Sequence, residues 1–296
     1  MKSGFVSLIG RPNVGKSTLL NQLLSQKIAI TSNKPQTTRN IIQGIYNEDG
    51  IQIVFIDTPG IHKPLNRLGK FLNKEAQSFA KDVDVILLVV DAKEGLGGGD
   101  KKIISSLNPE ENVILVLNKI DKMNDADILR AINEYKDLFP FKEIVPVSAS
   151  SGENIDTLKE QIKKYLSDNM RYFDNDMITT NTISFLVSEF VREKIFRMTE
   201  EEIPHSITCI TSKYEDKKNI VNITVDIVVD RDSIKKIIIG KQGSLLKAVG
   251  IEARKDIEAL LAKKVYLELY VKTIKNWRDK EKYLKELGFN EKDIID

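Results

Sequence analysis

The chain is poor in the residues that build redox and metal chemistry. Among 296 residues there is one cysteine, Cys209, and there are two histidines, His62 and His205. One thiol closes no internal disulfide, and a cysteine-based zinc site needs several thiolates, so both are excluded. This usage points to a reducing, cytoplasmic setting. Long apolar runs are missing as well. The longest aliphatic run, Val85–Val90, has six residues, against about 20 for a membrane-spanning helix. Met1-Lys2-Ser3-Gly4 leads straight into a short strand-like segment, so no secretory leader is expected. Charge of one sign is lacking too: 45 basic and 43 acidic residues leave +2, which argues neither for nor against a polyanionic partner. No internal repeat or low-complexity tract is present. What remains, 41% hydrophobic and 30% charged, is ordinary globular composition and excludes a disordered chain. At roughly 150 residues per domain, the length predicts two domains, each able to bury its own core.

The distribution of charge is more informative than its total. Residues 1–180 carry 23 basic and 23 acidic side chains, whereas residues 231–280 carry 13 basic and 6 acidic. That local excess is either a phosphate-facing patch or a solvated lysine-rich surface.

The first part alternates strand and helix patterns. Phe5–Ile9, Ile51–Ile56, Val85–Val90, Val113–Leu117 and Glu143–Pro146 read as strands, and Ile41–Tyr46 pairs with Ile51–Ile56 across a polar turn. Lys16–Ser25, Lys70–Lys81, Asp100–Leu107, Asp125–Leu138 and Ile155–Leu166 read as helices. This order predicts a mainly parallel sheet covered by helices on both sides. Ser167–Asn181 is polar without a sustained period and reads as a linker. Beyond it, helix Ser184–Met198, strands Ser206–Tyr214 and Asn219–Val229, helices Ser233–Ile239 and Ser244–Leu261, and strand Lys264–Val271 predict an α+β domain, with a charged helix after it.

Gly10-Arg11-Pro12-Asn13-Val14-Gly15-Lys16-Ser17, followed by Thr18, is a phosphate-loop pattern placed between a strand and a helix. Glycines let the backbone aim N–H groups at phosphate, and the helix adds its positive end. Lys16 reaches the outer phosphates and the Ser17 hydroxyl ligates Mg2+. Asp57-Thr58-Pro59-Gly60 ends one strand: the carboxylate binds the metal through water, and the Gly60 N–H senses the terminal phosphate. Asn118-Lys119-Ile120-Asp121 ends another. Asp121 can accept from the guanine N1–H and 2-amino group, a donor pair that adenine lacks, while Lys119 packs along the ring. Ser148-Ala149 offers backbone N–H to the guanine oxygen. All four segments lie at the carboxyl ends of predicted strands, the edge at which parallel sheets bind ligands.

These motifs resemble the small G-protein superfamily over residues 3–168. Asn13 and the pair Thr37-Thr38 before Arg39 resemble its translation-factor-related bacterial branch. That resemblance implies a threonine closing over Mg2+, with Thr38 the first candidate and Thr37 the second. It also places Asn13 where some relatives hold potassium. Lys16, Thr38 and Gly60 are the implied catalytic set. Ile61 stands where many G proteins carry the glutamine that orients water, so slow intrinsic turnover is expected. His62 reads as a solvated loop residue.

In the second part, Ile239-Gly240-Lys241-Gln242-Gly243-Ser244 sits between two helical segments. The glycines allow close approach of a sugar-phosphate backbone, Lys241 supplies charge, and Ile237-Ile238-Ile239 are expected to contribute an apolar floor for bases. The element order resembles a type II KH domain, which holds about four nucleotides of single strand. Val191–Ser206 reads as an amphipathic helix with Phe190, Ile195, Phe196 and Met198 facing the core, ended before Pro204. His205, Cys209 and Trp277 are expected to pack structurally.

Taken with Val191–Ser206, the whole chain resembles the Era family of bacterial GTPases. The resemblance implies a P-loop GTPase domain over 1–168, a linker over 169–182 and a type II KH domain over 183–296. It implies binding of GTP or GDP with Mg2+, binding of the 3′ end of small-subunit (16S) rRNA, and a role in small-subunit assembly and maturation. Some members associate peripherally with the membrane. A monomer is expected. Three other readings stay open at this stage: an RNA-binding scaffold with incidental turnover, a ribosomal GTPase whose KH-like domain contacts protein rather than RNA, and a membrane-surface G protein.

Overall fold

The computed structural model describes residues 1–289 except 33, 35–36, 60–66, 70–71, 73–82 and 202. Contacts divide the chain into two units, Met1–Lys63 with Leu72–Thr180, and Pro64–Phe71 with Asn181–Asp296.

The first unit runs β1 (Lys2–Ile9), α1 (Lys16–Leu24), β2 (Ile42–Glu48), β3 (Ile51–Asp57), β4 (Val85–Asp91), α2 (Gly98–Ile104), β5 (Val113–Asn118), α3 (Asp125–Tyr135), β6 (Glu143–Pro146) and α4 (Ile155–Lys163). The sheet order is β2-β3-β1-β4-β5-β6. All pairings are parallel except β2–β3, where two strands joined by the turn at Gly50 run antiparallel. Unbroken aliphatic sequence marks the central strands because both their faces are covered: every residue of β4 and β5 is buried. Ile86, Leu88 and Val90 pack with Ile103 of α2 and Ala131 and Tyr135 of α3. Each aliphatic side chain so buried stabilises by about 1.5–3 kcal/mol relative to exposure. The chain turns to opposite sides after β1 and β4, which leaves a crevice outside their carboxyl ends. The helix expected over Lys70–Lys81 lies outside the described residues apart from Leu72, which is buried.

The segment expected as a linker is fastened along the first unit up to Thr180. Ser3 and Asp168 exchange both backbone hydrogen bonds, at 2.9 and 3.1 Å. Gln52 of β3, fully buried, accepts from the N–H groups of Tyr172 (2.8 Å) and Phe173 (3.0 Å) and donates to Asn47 and to the Phe173 carbonyl. Ile45 N–H donates to the Ile178 carbonyl, and the Thr179 and Thr180 hydroxyls donate to Gln43. The strap thereby covers part of the free edge of β2, which would otherwise present unpaired backbone groups.

The second unit contains α5 (Ile183–Met198), β7 (Ile207–Asp216), β8 (Ile220–Val229), α6 (Asp232–Ile239), α7 (Ser244–Leu261), β9 (Lys264–Thr273) and α8 (Glu281–Glu286). Its sheet is β7-β8-β9, antiparallel then parallel. α5 is buried continuously from Leu186 to Phe196, charges included. Those charges are paired: Arg192 donates to Glu189 at 2.7 Å, and Lys194 bonds Glu193 and reaches Asp256 of α7. Phe190, Ile195 and Phe196 face the core as expected, but Met198 does not: as the last residue of α5 it is 36% exposed. Trp277 is core, its Nε1 donating to the Ser206 carbonyl at 3.1 Å. Cys209 is buried, and the His205 ring lies edge-on to Phe196.

Candidate functional site

Between β1 and α1 the backbone turns through Gly10 (φ 153°), Asn13 (φ 65°) and Gly15 (φ 99°). Two of these positions tolerate no side chain. A Cβ on Gly10 would lie 2.2 Å from the Val89 carbonyl oxygen, and one on Gly15 would lie 2.3 Å from Asn118 Nδ2. Gly15 caps α1 without a side-chain hydrogen bond, so the first N–H groups and the positive helix end face the crevice.

Asn118 joins three segments. Its Nδ2 donates to the Val14 carbonyl (2.8 Å), and its Oδ1 accepts from the Ala149 N–H (3.0 Å). That N–H therefore serves Asn118 rather than standing free for a ligand oxygen, because the buried Asn118 oxygen needs a donor. Lys119, in left-handed backbone, donates to the Asn13 carbonyl (2.7 Å) and pairs with Asp91 (2.5 Å). Asp121 accepts from the Ser148 hydroxyl at 2.7 Å, and this bond is the main reason its carboxyl lies below the usual range.

Deeper in the cleft three oxygens converge. Ser17 Oγ lies 2.6 Å from Asp57 Oδ2 and 2.8 Å from Thr38 Oγ1, which is itself 3.4 Å from Asp57 Oδ2. Asp57 Oδ1 is buried and makes no hydrogen bond with a described residue. Burial pushes the Asp57 carboxyl up, against the opposing effects of Lys16, Ser17 and Thr38. Burial likewise pushes the Lys16 ammonium down, with Asp57 opposing. Lys16 Nζ meanwhile donates to the Gly10 and Arg11 carbonyls at 3.2 and 3.3 Å. A hard-oxygen donor set with one unsatisfied carboxylate oxygen fits a small divalent cation such as Mg2+. Thr38, not Thr37, joins this set; the Thr37 hydroxyl donates to the Lys34 carbonyl.

The resulting cleft of about 340 Å3 is lined by Pro12, Asn13, Gly15, Lys16, Ser17, Thr18, Thr38, Asn118, Lys119, Asp121 and Ala149. Thr37, the second candidate threonine, lines it too, and so do Ile30, Thr31, Ser32, Lys122 and Ser150, which were not anticipated as site residues. The signal for Ile30–Ser32 was Asn21, one turn along α1, whose Oδ1 accepts from Ile28 and Ala29 N–H and whose Nδ2 donates to the Ala29 carbonyl. Gly10, Val14, Asp57, Thr58, Pro59, Ile120 and Ser148 form the surround rather than the lining; Thr58, for example, donates to the Leu8 carbonyl at 3.0 Å. The Arg11 side chain is bonded to α2 and is not part of the lining. Gly60, Ile61 and His62 lie outside the described residues.

In the second unit, Gly240 (φ 73°), Gln242 (φ 52°) and Gly243 (φ 77°) form a tight turn between α6 and α7. A Cβ on Gly240 would lie 2.9 Å from the Leu245 N. Lys241, Gln242 and Ser244 are exposed, and Gly243 caps α7 without a side-chain bond. Beside the turn runs a groove in which Leu246, Gly250 and Ile251 of α7 face Leu267 and Leu269 of β9, with Lys247 and Arg254 also lining it. The apolar lining of this groove is built by α7 and β9. Ile237–Ile239 do not line it: Ile238 is core, Ile237 is 49% exposed and Ile239 half-buried, because consecutive helical residues point 100° apart.

Comparisons with known proteins cover both regions. A family model described as a 50S ribosome-binding GTPase matches residues 5–119, and a KH-domain model matches residues 202–278. The crystal structure of a variant of Aquifex aeolicus Era bound to GDP·AlF4− is 41% identical, with a TM-score of 0.94, over 98% of this chain and 99% of that one. The structure of Era in complex with MgGDPNP and nucleotides 1506–1542 of 16S ribosomal RNA matches with the same identity, coverage and TM-score.

Proposed function

The chain belongs to the Era family, and from that premise we propose that it is a GTPase that binds the 3′ end of small-subunit rRNA and acts in assembly of the small ribosomal subunit. The observation that carries the reading is the convergence of Ser17, Thr38 and Asp57 beside Lys16, at the wall of a cleft that Asp121 also lines. Ser17 and Thr38 would ligate Mg2+ directly and Asp57 through water. Bound Mg2+ neutralises charge that develops on the phosphates as the terminal bond breaks. Lys16 leaves the Gly10 and Arg11 carbonyls for the outer phosphates. Asp121, kept ionised by Ser148, accepts from the guanine N1–H and 2-amino group. With Ile61 in the water-orienting position, intrinsic turnover is slow. The turn at Gly240–Gly243 takes the RNA backbone, and the groove of Leu246, Ile251, Leu267 and Leu269 takes bases.

Exchanging the base and the residue together tests the cleft. Asp121→Asn turns one acceptor into a donor, so GTP affinity falls roughly 100-fold or more while xanthosine triphosphate, with a carbonyl in place of the 2-amino group, binds better. Retained GTP preference in that variant would overturn the assignment. Titration of the 3′-terminal rRNA segment with GDP-bound and GTP-analogue-bound protein tests the other half. Sequence-dependent binding that changes with nucleotide supports a switch; equal, sequence-blind binding rejects it.

A further inference from the structure

The run Gly97-Gly98-Gly99-Asp100 belongs to none of the nucleotide motifs, yet it touches the phosphate loop. Asp100 is fully buried. Its Oδ1 accepts from Arg11 Nε at 2.8 Å, and its Oδ2 accepts from the Gly97 N–H at 2.9 Å and the Tyr135 hydroxyl at 3.3 Å. Tyr135 is itself fully buried, and burial raises its hydroxyl pKa, keeping it a donor. Arg11 Nη2 also lies 3.5 Å from Glu94 Oε2. Two of the three glycines, Gly97 and Gly99, lie directly under the arginine. A Cβ on Gly99 would stand 2.7 Å from Arg11 Cδ, and one on Gly97 would stand 3.0 Å from Arg11 Nη1. A half-buried arginine stem, a fully buried carboxylate with three donors and a floor without side chains form a built socket. Its other end is the loop itself: the Arg11 carbonyl accepts from Lys16 Nζ, and Gly10 is pressed against Val89.

We propose that Arg11 is a positioning residue, whose seat on Asp100 and the Gly97–Gly99 floor holds the phosphate loop in its wrapped conformation and so sets the affinity for the outer phosphates without touching the nucleotide. The inference rests on the reading of the cleft as a guanine-nucleotide site. It separates two ends of the ligand: the guanine end is held by Asn118 and Asp121, which Arg11 does not contact, and the phosphate end by the loop that Arg11 braces.

The test compares GMP, GDP and a GTP analogue on the full chain by fluorescence titration, with thermal melting of each variant alongside. Arg11→Met keeps the apolar stem and removes the donors. It is expected to weaken GDP and GTP-analogue binding roughly tenfold and GMP less than twofold. Arg11→Lys, retaining the charge but not the fork, falls between. Gly99→Ala leaves both charges and displaces the stem, so it shows a smaller loss of the same kind. That loss disappears in the Arg11→Met/Gly99→Ala double variant, where no bond from residue 11 to Asp100 remains to be displaced. Equal weakening of GMP and GDP, a lowered melting temperature with unchanged GDP affinity, or additive losses in the double variant would each overturn the proposal. Failure of the unsubstituted chain to bind GDP would instead reject the cleft reading on which it stands.

Discussion

The two units hold their candidate functional groups in opposite ways. In the first, Lys16, Asp57 and Asn118 are almost completely buried, and each is bonded to another part of the same site. In the second, Lys241, Gln242 and Ser244 stand in solvent on a turn whose shape comes from positive φ angles. A small ligand that must be enclosed requires ionic groups to be desolvated before it arrives, and their environment shifts both the Lys16 and Asp57 titrations. A long polyanion lying on a surface needs none of this. Its site keeps charges hydrated and relies on backbone shape and salt-sensitive attraction. Function and stability are therefore linked in the first unit and separable in the second.

The largest effect that can break this contrast is at Lys16. Lys16→Ala removes the cation that reaches the outer phosphates and should lower GTP hydrolysis by roughly 1,000-fold, about 4 kcal/mol of barrier. RNA affinity of the nucleotide-free variant should stay within about twofold of the parent. A parallel loss of RNA binding would show that the two sites are not separable at all.

Gln52→Ala comes next and probes the strap. It leaves the Tyr172 and Phe173 N–H groups and the Phe173 carbonyl, all part-buried, without their partner, at a cost of about 3 kcal/mol for the three bonds together. Urea unfolding reads the loss. A change below about 0.5 kcal/mol would mean the strap is only laid on the surface. The second unit offers the counter-case. Lys241→Asp together with Gln242→Asp should weaken RNA binding roughly 30-fold and steepen no unfolding curve, since both side chains are exposed. GTP turnover without RNA should not change. Loss of melting temperature in this variant would place the turn in the folding core and contradict the comparison.

The same contrast explains what could be read from sequence. The central strands were legible because burial on both faces leaves an unbroken aliphatic run at Val85–Val90 and Val113–Leu117. The phosphate loop was legible because close approach to Val89 and Asn118 admits only glycine at positions 10 and 15. The strap was not, since its order comes from side-chain and backbone groups of distant strands, at Ser3, Gln43, Ile45 and Gln52, and not from any periodicity of its own. Ile30–Ser32 were missed for a related reason: a lone Asn21 on α1 brings them to the cleft. In the second unit the turn was visible from Gly240 and Gly243, but the apolar groove beside it was not. Ile237–Ile239 look like one patch in sequence and diverge on a helix, whereas Leu246, Gly250, Ile251 and Arg254 share a face at helical spacing.

The smallest expected effect sharpens the contrast most, because it concerns stability without ligand. Asp57 is buried with its carboxyl pushed above the ordinary 3.8, so the folded chain holds that proton more tightly than the unfolded one. Its contribution to stability is fully present below the unfolded value and is lost as pH rises through the raised folded value. Lys16 acts in the opposite sense on the alkaline side, between its lowered folded value and 10.5, where stability rises with pH. Near neutral pH, without metal or nucleotide, the buried Asp57 carboxyl is thus a net cost that Asp57→Asn relieves. The variant should unfold at higher urea than the parent at pH 7 in EDTA, by about 1 kcal/mol, and lose the slope on the acid side. With Mg2+ and GDP the order should reverse, since only the parent can hold the cation. If the asparagine variant were weaker in EDTA, the bonds from Ser17 and Thr38 and the attraction of Lys16 would outweigh desolvation. The first unit's site would then be stable in its own right rather than completed by its ligand.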